Sequence, residues 1–395
     1  MEKRLKSKEY DLKATKKLFK KYLEKKSENL SITLPPNTVK IDDLNRKDTL
    51  NRLYKLVDNT IEKILTNGRP TFHLPSRSSS NIIWDEKNDL LLLGKQIIEK
   101  QFHTLTSVAD ITRLMRVLEV VNDLLKEDIH ATKREVFYTD VNLFQEQKNS
   151  DKSIEDVASM LYTTRNSTHI VASPKGTCVG RLRIRDKNDI IDLEGLGSGG
   201  WTVSPMLDSI EIIESDAEFI LVIEKDAAMM RLAEARFWRK YPCILITAQG
   251  VGNVAVRMFL KRLSKELNLP VFSLVDSDPY GHYIHSVYLR GSKRLSYESP
   301  FLATPNINLL GVLTRDLDKY KIPNEVRIKM NKLDEKRTRD LLNEDFVKKN
   351  KAWENDLRLA LELKIKAEIQ AFAAHGFKFL TDNYLPEKLT TGDWI

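Results

Sequence analysis

The chain has little of several things, and each shortage excludes a class. It has two cysteines in 395 residues, Cys178 and Cys243, far apart and without histidine neighbours. Neither a disulfide framework nor a zinc site is suggested, which fits a reducing compartment, cytosol or nucleus. The longest apolar run near the middle, Phe219 to Ile223, is far too short to span a bilayer. The N-terminus is basic but lacks the apolar stretch of a secretory signal. No internal repeat is present. No Walker A sequence occurs either, so any ATP-driven step must come from another chain.

Hydrophobic residues at 41% and charged residues at 30% describe a folded globular chain long enough for two domains with extensions. The net charge of +8 is unevenly placed: Met1 to Lys26 carries 11 Lys+Arg against 4 Asp+Glu, a net +7, leaving +1 for the rest. The basic excess therefore belongs to a tail, expected to be solvated, and the body can meet nucleic acid only through local patches.

Leu50, Leu53, Leu56, Ile61 and Ile64 recur at helical spacing, and Gly68 and Pro70 end that helix. From Ser107 to Leu125, Val108, Ile111, Leu114, Val117, Val120, Val121 and Leu124 mark a second amphipathic helix. The next stretch reads as a winged helix-turn-helix. Thr132 caps a short helix through Arg134 and Tyr138, and Ser153 caps another. Thr168 to Ala172 and Cys178 to Ile184 then form a hairpin around Ser173-Pro174-Lys175-Gly176. Arg165, Lys175, Arg181, Arg183 and Arg185 supply a basic patch there; a small winged helix that binds protein is the alternative. Beyond Asp189 the pattern becomes βαβαβ: strands at Phe219 to Ile223, Cys243 to Ile246 and Val271 to Val275, with helices 227–239, 254–267 and onward from His282. This is an open parallel sheet covered by helices, with a helical, charged tail from Asp334 to Leu380.

Glu224 ends the first of these strands, and Asp276 and Asp278 follow the third. Carboxyl ends of parallel strands form the ligand crevice, and residues two apart on extended backbone share a side. Three converging carboxylates repel one another unless a cation neutralises them, and oxygen ligands with phosphate chemistry select Mg²⁺. Ordinary helix capping is the alternative for Asp278, which precedes Pro279. Tyr138 is a candidate nucleophile if its phenol, with an ordinary pKa of about 10, is helped. Arg134, four residues earlier, shares its helical face and can hold a phosphate. Gly195-x-Gly197-x-x-Gly200 opens no helix and reads as a turn, and His282 and His285 read as a solvated helix face.

Lys133 to Gln147 (KREVFYTDVNLFQEQ), Phe219 to Phe237 (FILVIEKDAAMMRLAEARF), Val275 to Gly281 (VDSDPYG) and the ending Lys366 to Ile395 carry a resemblance. From about Leu50 to Ile395 the chain resembles the A subunit of type IIB DNA topoisomerase (topoisomerase VI) and the related eukaryotic proteins that initiate meiotic recombination. The resemblance implies Tyr138 as nucleophile, Arg134 as a catalytic-site residue, and Glu224, Asp276 and Asp278 as the Mg²⁺ ligands of a Toprim fold. It implies a homodimer on double-stranded DNA in which the Tyr of one chain works with the metal site of the other. It also implies a B-subunit-like, GHKL ATPase-type partner and a nuclear location. One departure is Ala248-Gln249-Gly250, where relatives carry a lysine at the position of Gln249.

The expected architecture is a basic extension (1–40), a winged-helix (CAP-like) domain carrying the tyrosine (41–187), and a Toprim domain with C-terminal helices (188–395). The expected function is double-strand break formation by metal-dependent tyrosine transesterification, initiating meiotic recombination. The alternatives are the catalytic A subunit of an ATP-dependent topoisomerase and a non-catalytic DNA-binding scaffold.

Overall fold

The computed structural model describes residues 12–26, 33–68 and 70–395. The chain opens with helix α1 (Leu12–Lys26). Helix α2 (Arg46–Asn67) starts where the Asn45 side chain accepts the Asp48 N–H and stops at Gly68, whose φ of 67° suits glycine. Two antiparallel pairs follow: β1 (Thr71–Pro75) with β4 (Ile97–Gln101), and β2 (Ile82–Asp85) with β3 (Leu90–Leu93). Then come α3 (Leu105–Glu127), β5 (Ala131–Thr132), α4 (Lys133–Tyr138), α5 (Val141–Phe144), α6 (Gln147–Met160) and β6 (Ile170–Val171). Leu53, Leu114, Val121, Val136, Phe144 and Val157 meet in the core of this half. The expected apolar stripe of α2 outruns that core: Ile61 and Ile64 are exposed.

The expected wing does not form. β6 pairs in parallel with β5, while β7 (Thr177–Gly180) joins the sheet of the other half, antiparallel to β13 (Cys243–Thr247). The reason is burial: Cys178 and Val179 point to opposite faces and both are wholly buried, which an exposed wing cannot offer. The strand breaks at Gly180, whose φ is +114° and where a Cβ would lie 2.4 Å from the Cys243 carbonyl oxygen. β8 (Arg183–Asp186) then starts a separate three-stranded sheet with β9 (Asp189–Asp192) and β11 (Ile210–Glu214). Ser153 caps nothing: it is buried in mid-α6, its hydroxyl donating to the Asn149 carbonyl.

The main sheet runs β10 (Trp201–Thr202), β7, β13, β12 (Phe219–Ile223), β14 (Val271–Leu274), β15 (Ile307–Gly311). The last four are mutually parallel and buried on both faces, as unbroken apolar runs require. The expected helix 227–239 is two, α7 (Asp226–Glu234) and α8 (Phe237–Lys240), broken at Arg236 with φ 44°. α9 (Val254–Leu267) and α10 (Pro279–Arg290) complete the crossovers, and helices Lys332–Asn343, Asp345–Lys349 and Lys351–Leu363 follow. No helix among the described residues is long and apolar enough to cross a membrane.

α1 is not solvated, as its charge suggested. Phe19, 4% exposed, packs edge-on to Phe219 and against Phe272, with ring centroids 5.6 and 5.4 Å away. The Tyr22 hydroxyl donates to Asn308 Oδ1 at 2.9 Å, and Lys17, Lys20 and Lys21 face outward. The rest of the basic stretch, residues 1–11, lies outside the described residues.

Candidate functional site

Because β12 and β14 are parallel neighbours, their carboxyl ends bring Glu224 and Asp276 together. The Asp276 N–H donates to Glu224 Oε2 at 2.9 Å. Asp276 Oδ1 accepts the Ile369 N–H at 2.9 Å, and Oδ2 meets Lys225 Nζ at 2.9 Å. Lys225 also reaches Glu368 Oε2 at 3.1 Å. Both site carboxylates are buried, at 8% and 6% exposure. Burial first, then the neighbouring Asp276, pushes the Glu224 carboxyl up to about 7. Burial likewise raises Asp276, against the pull of the Ile369 N–H and Lys225.

Asp278 does cap α10: its Oδ1 accepts the Gly281 N–H at 2.6 Å, with Pro279 in the first turn. A Cβ on Gly281 would sit 2.3 Å from the Asp276 carbonyl oxygen, so only glycine lets the helix start this close. The capping and ligand readings of Asp278 are compatible, since its second oxygen takes no part in the cap hydrogen bond. Among the described residues no three His, Cys, Asp or Glu side chains close around a metal position, and the Lys225 ammonium is the cation beside Asp276. The donor set itself, oxygen-only and mutually repelling, fits a hard divalent cation. The sequence reading missed Lys225; its one signal is that it directly follows Glu224.

Gln249 has φ 55°, and its amide donates to Asp226 Oδ1 at 3.4 Å. Its loop is held by the Gly250 N–H, which donates to the Glu224 carbonyl at 2.9 Å. The glycine-rich stretch 195–200 is a turn, as expected. His282 and His285 are not solvated: each is 2% exposed. His282 Nδ1 accepts the Trp353 indole N–H at 2.9 Å, and His285 Nδ1 lies 2.8 Å from Ser273 Oγ. α10 is buried on nearly every side, which its i, i+3 polar spacing concealed.

The tyrosine lies on the other half of the chain. Thr132 and Glu135 form a reciprocal capping box at the start of α4, and Val136 anchors the helix at 0% exposure. Tyr138, at the far end, is 60% exposed; its ring leans on Phe137 and its hydroxyl makes no hydrogen bond among the described residues. Arg134 sits one turn back, exposed, with no ion pair among the described residues. No hydrogen bond or ion pair among them links α4 to the strand ends that carry the carboxylates. Of the expected basic patch, Lys175 stays exposed with no ion pair among the described residues, while the four arginines are engaged within the chain. Arg165 is buried, Arg183 and Arg185 pair with Glu214 and Glu211, and Arg181 lies 3.3 Å from Asp216.

Two family models match: the Toprim domain of the topoisomerase 6 A-subunit/Spo11 family over residues 219–389, and type IIB DNA topoisomerase over 109–170. Among individual proteins, the A3 subunit of DNA topoisomerase 6 from Oryza sativa is 46% identical over 90% of this chain and 80% of its own. The A subunit of type 2 DNA topoisomerase 6 from Sulfurisphaera tokodaii is 38% identical over 91% and 98%. The meiotic recombination protein SPO11 of Mus musculus is 32% identical over 88% and 89%.

Proposed function

The chain belongs to the topoisomerase 6 A-subunit/Spo11 family, and from that premise we propose that it cuts double-stranded DNA by transesterification through Tyr138. The observation that carries this reading is the exposed α4 face, where an exposed phenol stands one turn from an exposed guanidinium, neither with a hydrogen bond or ion pair among the described residues. The Tyr138 oxygen attacks a backbone phosphorus and gives up its proton, a P–O–tyrosine bond forms, and the P–O3′ bond breaks. The products are a 5′-phosphotyrosyl link and a 3′-hydroxyl that takes up a proton. Arg134 holds the phosphate oxygens and stabilises the charge that develops on them. Glu224, Asp276 and Asp278 are the residues that would hold Mg²⁺. Bound there, the ion supplies charge neutralisation at the phosphate and the leaving oxygen.

On the family resemblance we assign the reaction to a homodimer, with the Tyr138 of one protomer serving the carboxylates of its partner. The half built on α3, α4 and α6 is assigned the winged-helix role, with the antiparallel β1–β4 pair in place of the expected hairpin. Two settings share this cutting step: break formation for recombination, and ATP-dependent strand passage with a GHKL-type partner in the nucleus. The higher identity to plant topoisomerase subunits than to the meiotic proteins favours the second. The test incubates the chain with supercoiled DNA and Mg²⁺, adding the B-type partner where one is required, then denatures with detergent. Protein-linked 5′ ends that vanish in Tyr138→Phe are expected; links surviving in that variant overturn the assignment.

A further inference from the structure

Glu155 lies on α6 with 3% of its side chain exposed, and three cations from three different elements converge on it. Lys133, the first residue of the tyrosine helix α4, places Nζ 3.1 Å from Oε1. Arg77, just past β1, places Nη1 2.6 Å from Oε2. Arg294, from the turn that follows α10, reaches Oε1 through Nη2 at 2.8 Å and Nε at 3.1 Å. A carboxylate this buried is costly unless compensated. Here burial is outweighed by the Lys133, Arg294 and Arg77 charges, which hold it below the usual carboxylate range.

Two of these cations belong to opposite half-sites. Lys133 begins the helix that ends in Tyr138. Arg294 lies four residues beyond the end of α10, and α10 begins at its Asp278 cap beside Asp276. A continuous line of rigid parts thus runs from the carboxylates through α10, Arg294, Glu155 and Lys133 to Tyr138. Two further ties flank it. Arg290 makes a two-pronged pair with Asp89 at 2.9 and 2.8 Å, and Glu298 accepts the Arg165 N–H. Within nine residues the α10 end grips the other half at three points.

We propose that the Glu155–Arg294 pair is a positioning joint that fixes the tyrosine helix relative to the carboxylate half of the same chain. The inference rests on the proposed cleavage reaction. In a dimer whose half-sites are completed across protomers, the angle between the two halves of each chain sets where Tyr138 meets the partner. A misplacement of an ångström there is enough to cost on the order of 10²-fold in rate. Glu155 acts through Lys133 and Arg294 and touches no reacting atom.

Arg294 is the residue to vary, because its side chain is 63% exposed and Glu155 keeps Arg77 and Lys133 when it is removed. Three readouts are taken on full-length Arg294→Gln and Arg294→Lys, with the B-type partner wherever the parent needs it. They are single-turnover cleavage, duplex affinity, and the distance between spin labels at Thr139→Cys, which follows α4, and Glu234→Cys on α7, in chains diluted with unlabelled protein. Both sites are exposed and the native cysteines are buried. The expected result for Arg294→Gln is cleavage slowed on the order of 10²-fold, duplex affinity within about twofold of the parent, and a broadened label distance. Arg294→Lys should restore the narrow distance and part of the rate. A label distance identical to the parent's overturns the joint, and so does unchanged cleavage with a broadened distance. A parent that cleaves nothing sinks the cleavage reading instead, and the label distance alone then decides the joint.

Discussion

Lys225 Nζ lies 2.9 Å from Asp276 Oδ2, on the side of the carboxylate opposite the Ile369 N–H. Both oxygens of the expected ligand are therefore engaged by the chain itself. A metal ion at Asp276 would share that carboxylate with the ammonium, whose positive charge opposes it and which Glu368 also holds at 3.1 Å.

That competition predicts a metal response. Mg²⁺ should raise the thermal midpoint of the parent by mass action and do little for a Glu224→Gln, Asp276→Asn double variant. Lys225→Met should bind Mg²⁺ several-fold more tightly than the parent, because an opposing positive charge has gone. Calorimetric titration checks both. Equal Mg²⁺ binding by the parent and the double variant would remove these carboxylates from the metal site.

Arg134→Gln should separate chemistry from folding. The side chain is exposed and has no ion pair among the described residues, so the melting midpoint should stay within about 1 °C of the parent's. Covalent complex formation should fall by about 10²–10³-fold if the guanidinium stabilises charge at the phosphate. A loss of no more than twofold would leave Arg134 a surface residue.

The parts of this site that were legible in the sequence are local. Unbroken apolar runs announced β12, β13 and β14, the cap at Thr132 announced α4, and the carboxylates followed from strand ends. What was not legible depends on distant partners. β7 reads as half of a hairpin until Cys243–Thr247 offers it a fully buried slot. Lys225 carries no signal of its own until Asp276, just past the end of β14, arrives beside it. The histidines of α10 read as solvated because nothing nearby in sequence announces that Trp353 and Ser273 will cover them.

A pH response should come from Lys261 on α9. Its amine donates to the Pro300 carbonyl, and burial first, then Lys265 and Arg257, push its pKa down to about 8. The unfolded value is about 10.4, so between these two the unfolded chain binds more protons and stability rises with pH. The contribution is present above the unfolded value and lost as pH falls through about 8. Urea midpoints at pH 7.5 and 9.5 should therefore differ more in the parent than in Lys261→Met. The same pH difference in both proteins would show that this amine is not the group responsible.

In α1, charge and packing point to different roles for the same fifteen residues. Phe19 is buried against Phe219 and Phe272, so it belongs to the core of the carboxylate half. Phe19→Ala should cost about 3–5 kcal/mol, the usual range for emptying a buried aromatic site. It should leave the salt dependence of duplex binding alone. Lys17, Lys20 and Lys21 face outward, so replacing them with Gln should leave stability within about 0.5 kcal/mol. If that face meets DNA, each lost phosphate contact should flatten the slope of log K against log salt by about 0.9. Deleting Met1 to Lys26 combines both effects and cannot separate them, because it removes a core residue along with the charges. The two point-substituted chains do separate them. A Phe19→Ala protein as stable as the parent would mean that α1 is not docked in solution. An unchanged slope in the lysine variant would mean that its basic face meets something other than DNA.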